Sequence, residues 1–345
     1  MPVLDVNALI DDRVSAIRRH AQDNGGGKIE LDVSGGIDSA VMLCLCVLAV
    51  GPDNVTAAFQ GISSSPRAKL QALNLMEATG VNPIMADFTA GYHVLIMEML
   101  RALEDAGYDM GPIKERIYDD PTVLGSIRSC LRAPLGRGFN RMTGGGIREG
   151  TGNEDEDRWL RFYQKGGDGE VDTNPMAMLS KGEVYQLAVG LGKCMGSGVA
   201  TALYPIIMVA PEHDLWAGKD SRDETELANW AGAQFTYSTV DPDTGAYTSV
   251  GTIERVSRFL DTTPGSWLFS ETSPQVGDVV GKSIDRAKDL PMFQGFDPQQ
   301  VENLLRAARK AHFRTLHKWN PNCPSLGNRQ DLLEQGILTD TLPEV

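Results

Sequence analysis

Only five cysteines occur in 345 residues, Cys44, Cys46, Cys130, Cys194 and Cys323, and no two are spaced as Cys-x-x-Cys. An odd, scattered set excludes a disulfide framework and offers no zinc-ligand spacing. Histidines also number five, with no Ser-His-Asp or Cys-His arrangement in view, so a protein nucleophile is not expected. The longest apolar run, Ala40 to Val50, is too short to cross a bilayer, and no secretory segment is evident. A cytoplasmic protein that engages no membrane is expected. Positive charge is scarce: 32 Lys and Arg against 46 Asp and Glu leave a net charge of −14. Such a surface repels phosphate backbones, which argues against nucleic-acid binding. It does not exclude nucleotides, because a local pocket of backbone N–H groups holds phosphate inside an acidic protein.

What is present reads as an ordinary globular chain, 41% apolar and 23% charged. Helical spacing from Leu4 to Ala21 is stopped at Asn24 to Gly27; Ile29, Leu31 and Val33 then alternate with Glu30 and Asp32 as in a strand. An apolar helix to Val50, a strand at Val55 to Phe59, a helix at Ala68 to Ala78 and a strand at Pro83 to Phe88 follow. Strands alternating with helices imply an α/β fold with a twisted parallel sheet and flanking helices. Thr89 to Ala106 and Ser180 to Leu191 read as helices, and Asp297-Pro298 opens another. Gly107 to Pro121 is rich in turn formers, and Leu135 to Gly152, with Gly144-Gly145-Gly146, reads as loop. Asp241-Pro242-Asp243-Thr244-Gly245 signals a hairpin.

Two segments carry chemistry. Ser34-Gly35-Gly36-Ile37-Asp38-Ser39 lies between a strand and a helix. Its glycines permit close backbone approach, its serines offer hydroxyls, and the helix start supplies N–H groups, as a pyrophosphate cradle requires. Asp38 would repel phosphate unless it holds a divalent cation, which points to Mg²⁺. The second segment is Gly150-Thr151-Gly152-Asn153-Glu154-Asp155-Glu156, then Lys165-Gly166-Gly167-Asp168-Gly169-Glu170-Val171-Asp172 and Pro175, with Lys181 just before the next helix. A bare acidic cluster is usually a solvated helix start; here it follows a glycine turn. Trp159, Phe162 and Tyr163, at helical spacing, read as core.

In that order these residues resemble the NAD synthetases, members of the N-type ATP pyrophosphatases, from about Val33 to Lys318 with gaps. The resemblance implies one α/β domain over 1–345, extended near 107–121 and 233–274. It also implies a homodimer, and an ammonia-dependent reaction without a glutaminase domain. ATP would adenylate the carboxylate of deamido-NAD, releasing pyrophosphate, and ammonia would displace AMP. By resemblance, Ser34, Gly35, Gly36, Asp38 and Ser39 hold the ATP phosphates, Thr151 and Lys181 contact ATP, and Asp38 with Glu156 holds Mg²⁺. Arg132, Lys165, Asp168, Asp172, His317 and Lys318 would serve the second substrate or the pyrophosphate.

The departures are specific. Ser126 and Cys130 stand where the family has asparagine and the first arginine of R-x-R, and Glu154 reverses a usual lysine. Pro211-Glu212-His213-Asp214-Leu215 lacks an expected hydroxyl, and Gly144 to Glu149 replaces an apolar strand. They leave two rivals: a relative that amidates or ligates a different carboxylate, and a silent nucleotide-binding protein. Retention of Asp38, Glu156 and Lys181 opposes the second. The aromatic residues Phe235, Tyr237, Tyr247, Trp267 and Phe269 suggest that 233–274 projects a binding surface.

Overall fold

Four parallel strands organise the chain: β1 (Ile29–Asp32), β2 (Val55–Gly61), β3 (Ile84–Asp87) and β4 (Ile147–Arg148), in the order β3-β2-β1-β4. The computed structural model describes residues 3–211, 233–262, 290–315 and 327–343, with positions 222, 224, 225, 228, 287 and 318. Helices α1 (Val6–Gly25), α2 (Ile37–Val50), α3 (Pro66–Thr79), α4 (Thr89–Asp105), α5 (Met110–Asp119) and α6 (Thr122–Met142) precede β4. After it come α7 (Glu154–Asp157), α8 (Lys181–Met195) and α9 (Ser197–Ile207). The hairpin β5 (Thr239–Val240) and β6 (Tyr247–Ser249) leads to α10 (Thr252–Thr262), followed by α11 (Pro298–Thr315) and α12 (Arg329–Glu334). Among the described residues no helix is long and apolar enough to cross a membrane.

Local signals explain the element ends. Asp5 caps α1 by accepting from the Asn7 and Ala8 amides, and Ser65 with Pro66 opens α3. Ser180 and Glu183 form a reciprocal capping box at the start of α8. Asp297 accepts from the Gln299 and Gln300 amides before α11, as its Asp-Pro start predicts. α2 is buried along nearly its whole length, packed between the sheet, α1 and α8. Each of its large apolar side chains contributes about 1.5–3 kcal/mol by burial. Cys44 and Cys46 lie in this core as small hydrophobes, and burial pushes the Cys44 thiol up to about 12.

Three expectations are corrected. The turn-rich 107–121 segment contains α5, and the presumed loop at 135–152 is helix as far as Met142, since α6 runs there through Pro134, Gly136 and Gly138. Gly136 is required by packing: a Cβ there would stand 1.8 Å from the Arg148 guanidinium. Nor is β1 a half-solvated strand, because Glu30 is fully buried. Its carboxylate binds the Arg148 guanidinium at 2.6 Å through both oxygens. The face beneath α6 is therefore polar: Arg148 also pairs with Asp32, and Gln60 donates to Asp32. Burial, reinforced by Asp32 and opposed by Arg148, raises the Glu30 carboxyl to about 7.

The third correction concerns 233–274. The hairpin exists, but Phe235, Tyr237 and Tyr247 are buried rather than surface-forming. Phe235 and Tyr237 join Trp159, Ile253, Val256 and Phe259 in a second core with α11. Trp159 is thus core as expected. Trp267 and Phe269 lie outside the described residues.

Candidate active site

Strand order reverses at β1, which has β2 on one side and β4 on the other. In parallel α/β sheets the crevice at the carboxyl ends of such neighbours is the preferred ligand site. The loops leaving β1 and β4 are the two chemical segments of the sequence, and they bound a cavity of about 670 Å³. That volume falls within the roughly 300–1,000 Å³ of small-molecule sites.

The loop after β1 is stitched by its serines. The Ser34 hydroxyl accepts from the Gly36 amide at 3.2 Å, and Ser39 Oγ accepts from the Ser34 amide at 3.1 Å. Gly35 has φ +88°, and a Cβ there would meet the Ala68 carbonyl at 2.3 Å, so glycine is required. The turn sets Asp38 in the first turn of α2, facing the second loop.

That second loop is organised by Asn153, the N-cap of α7. Its Oδ1 accepts from the Glu156 amide at 3.2 Å while its Nδ2 donates to Asp38 Oδ1 at 3.0 Å. Lys181, 1% exposed at the start of α8, completes the junction: its Nζ lies 2.6 Å from both Asp38 Oδ2 and Glu156 Oε1. Burial raises the Glu156 carboxyl, and Asp38 reinforces this, while Lys181 opposes it. Burial also pushes neighbouring Asp157 well above the carboxylate range, reinforced by Glu156, Asp168 and Asp38. Two carboxylates thus converge on one cation. Among the described residues no cluster of three or more His, Cys, Asp or Glu gathers as a metal site. A hard divalent ion here would draw its other ligands from phosphate and water, which suits Mg²⁺.

Further along, the 164–172 loop packs on α6. Ser129 Oγ donates to Asp168 Oδ1 at 2.7 Å, and Cys130 Sγ lies 3.7 Å from the Lys165 carbonyl. Ser34, Gly35, Gly36, Asp38, Thr151, Glu156, Arg132 and Asp168 line the cavity. Ser39 is buried behind the loop it stitches. Lys165 is exposed and does not line the cavity. Asp172 forms a two-pronged pair with Arg137 at 2.8 and 2.9 Å and accepts from the Arg148 amide, which gives it a structural task along β4. Lys318 Nζ donates to the Arg161 and Tyr163 carbonyls at 3.2 and 2.6 Å, so it clasps a loop at the cavity rim. His317 and Glu212 lie outside the described residues. Phe162 packs against the second core and, with Tyr163, also lines the cavity.

Asn153, Asp157 and Tyr237 were not singled out in the sequence as site residues. The N-cap pattern of asparagine three positions before glutamate was the available signal for Asn153. Asp157 is held by Asn174 Nδ2 at 2.6 Å, a contact no local pattern foretells.

Glu149, the residue before Gly150, supplies a test of the site's frame. It is 2% exposed, and burial, with Asp172 adding to it, raises its carboxyl from 4.5 to about 8, against the Thr173 hydroxyl bond. The folded protein therefore keeps this proton where the unfolded chain has lost it. Stability should fall by about 1.4 kcal/mol per pH unit from this group between pH 4.5 and pH 8, and level above. Glu149→Gln should flatten that part of the profile in urea melts across the same range. An unchanged slope in the variant would refute the assignment.

The comparisons with known proteins agree with this geometry. The family model described as NAD synthase matches residues 9–242, which is well over half of the chain. That span ends within 233–274 and does not reach Lys318. The NH(3)-dependent NAD(+) synthetase of Trichlorobacter lovleyi is 27% identical over 268 residues, covering 76% of this chain and 87% of that protein. The NH(3)-dependent NAD(+) synthetase of Methanocaldococcus jannaschii is 26% identical over 281 residues, covering 80% and 92%. Among solved structures, the NMN synthetase of Francisella tularensis aligns with TM-score 0.57 and 19% identity, covering 92% of this chain and 99% of that one. At that identity the likeness shows the fold alone. With the cradle after β1, the Asp38–Lys181–Glu156 junction and the matched span together, the chain belongs to the NAD synthase family.

Proposed function

We propose that this chain is a carbon–nitrogen ligase that converts deamido-NAD to NAD with ATP and ammonia. The observation that carries the reading is the junction of Asp38, Glu156 and Lys181 beside the Ser34–Ser39 loop, at the switch point of the sheet.

A carboxylate is a poor acyl donor. Attack of its oxygen on the α-phosphorus of ATP forms an acyl adenylate and expels pyrophosphate. Ammonia then attacks the acyl carbon, AMP leaves, and one proton is released. The backbone N–H groups of the Ser34–Ser39 loop and the start of α2 cradle the phosphates. Lys181 offsets the charge that develops on the departing pyrophosphate. Asp38 and Glu156 are the residues that would hold Mg²⁺, which when bound neutralises phosphate charge. Arg132 and Asp168, on the wall made by α6 and its loop, face the acceptor.

A single catalytic domain, a cytoplasmic location and a homodimer belong to the same reading. Val94 and Met97 on α4 are 67% and 69% exposed, and Tyr118 on α5 is 83% exposed. Val94 and Met97 stand one turn apart on α4 and supply apolar surface for a second copy. Sedimentation should give a dimer that Met97→Asp weakens; a wild-type monomer at all concentrations would contradict it.

A different acceptor is favoured by one observation. Cys130, in place of the arginine that the resemblance implies, lies on the Lys165 carbonyl, so α6 carries one cation fewer near Arg132. The test is a panel of carboxylates, including deamido-NAD and nicotinate mononucleotide, with ATP, Mg²⁺ and ammonium. Pyrophosphate and NAD should form with deamido-NAD at the highest kcat/KM. Preference for another carboxylate would establish the second reading, and no pyrophosphate with any would refute both.

A further inference from the structure

Tyr237 was grouped above with the second core, yet its ring reaches the junction. It is 3% exposed. The Lys181 ammonium lies 5.2 Å from its ring centroid, and its hydroxyl is 3.4 Å from Glu156 Oε1, the oxygen that Lys181 also binds.

The segment that bears Tyr237 is fixed from behind. Its own amide donates to Glu224 Oε1 at 2.8 Å. Thr236 and Thr252 exchange hydrogen bonds, amide to hydroxyl in each direction, at 2.9 and 3.0 Å. Ser238 Oγ accepts from the Gly251 amide at 2.8 Å and donates to the buried Glu254. The residues before and after Tyr237 are thus pinned to the start of α10. Phe235 stacks edge-on against Trp159, two residues beyond α7, with centroids 5.7 Å apart. The hairpin and α10 therefore act as a buttress that presents one aromatic side chain to the ATP-side groups.

We propose that Tyr237 is a positioning residue for the ATP half of the reaction. Its ring face holds the Lys181 ammonium by cation–π attraction, and its hydroxyl orients the Glu156 carboxylate. An ammonium on a four-carbon stem is otherwise a mobile point charge. Confining it between two carboxylates and an aromatic face fixes where positive charge meets the phosphates, and small misplacements of such groups are costly. The inference rests on the reading of Lys181 and Glu156 as ATP-side groups.

The experiment compares wild type, Tyr237→Phe and Tyr237→Leu, with Phe259→Leu as a control in the same core. Turnover kinetics and the Kd of a non-hydrolysable ATP analogue with Mg²⁺ are measured on each. Tyr237→Phe loses the hydroxyl and should lower kcat about fivefold; Tyr237→Leu also loses the ring face and should lower it about a hundredfold. Analogue affinity should weaken about tenfold in the leucine variant, with the acceptor KM within about twofold and the phenylalanine variant restoring most of it. The control should keep wild-type kcat per folded molecule. Wild-type kcat and analogue affinity in both Tyr237 variants would overturn the proposal, as would losses that the control shares. Should Tyr237→Leu fail to fold, the phenylalanine variant decides, and a wild-type kcat there counts against it. A wild type that releases no pyrophosphate refutes the functional reading instead, while analogue binding still decides the place of Tyr237.

Discussion

Replacing Asp38 by alanine or asparagine should abolish acceptor-dependent pyrophosphate release, a loss of about a thousandfold or more, while the protein stays folded. Asp38 is half-buried in the first turn of α2, after a loop whose shape is kept by Ser34, Gly35 and Ser39, not by the Asp38 carboxylate. Its removal costs Asn153 and Lys181 one partner each, and Glu156 still neutralises the ammonium. The asparagine variant preserves volume and hydrogen-bonding capacity but not charge. Equal loss in both variants therefore identifies the charge as the essential property. Turnover near wild type in Asp38→Ala, with Mg²⁺ present, would remove this residue from the chemistry.

Arg258→Met should destabilise the protein by about 3–5 kcal/mol, a large part of the roughly 5–15 kcal/mol that holds a domain together. Arg258 is fully buried, 2.8 Å from Glu154 Oε2 and 2.8 Å from Asp261 Oδ2, and Glu183 is 3.8 Å away. Arg329 binds Glu183 at 2.9 Å from the other side. Burial alone would push the Glu154 carboxyl up, but Arg258, Arg329 and Arg158 together hold it below the ordinary range. Losing Arg258 strands buried negative charge beneath α7, the element that carries Glu156. The comparison variant is Arg158→Met. Its side chain is 44% exposed, and its pair with Glu154 should contribute less than about 1 kcal/mol. Urea titrations of the two decide the point, and equal midpoints would show that the buried network carries no such weight.

This network also accounts for one departure named from the sequence. The negative charge at Glu154, reversed relative to the pattern that the resemblance implies, is answered by Arg258, 104 positions away on α10. Arg158, four residues on, is the local part of that answer, whereas the buried part from Arg258 is invisible along the chain. The same limit applies to the polar sheet face. Glu30 and Asp32 read only as the polar positions of an alternating strand, whereas Arg148 pairs with both. Gly136 and Gly138 suggested a loop for the same reason: the guanidinium that demands Gly136 comes from β4.

What was legible was local. The loop from Ser34 to Ser39 and the Asp297 cap of α11 are each fixed by residues within a few positions of one another. The convergence of the two chemical segments required the parallel alternation that sets β1 beside β4, and that alternation was legible too. Lys165 and Asp172 were named by resemblance; neither lines the cavity, since Lys165 is exposed outside it and Asp172 pairs with Arg137. A motif match within a loop does not fix which side chains reach the site.

If the acceptor carboxylate itself attacks the α-phosphorus of ATP, one of its oxygens must leave with AMP. Running the reaction with deamido-NAD labelled with ¹⁸O in its carboxylate and weighing the products measures this directly. One ¹⁸O should appear in AMP, one fewer in the amide product and none in pyrophosphate. Label in phosphate or pyrophosphate, or unlabelled AMP alongside product formation, would contradict it.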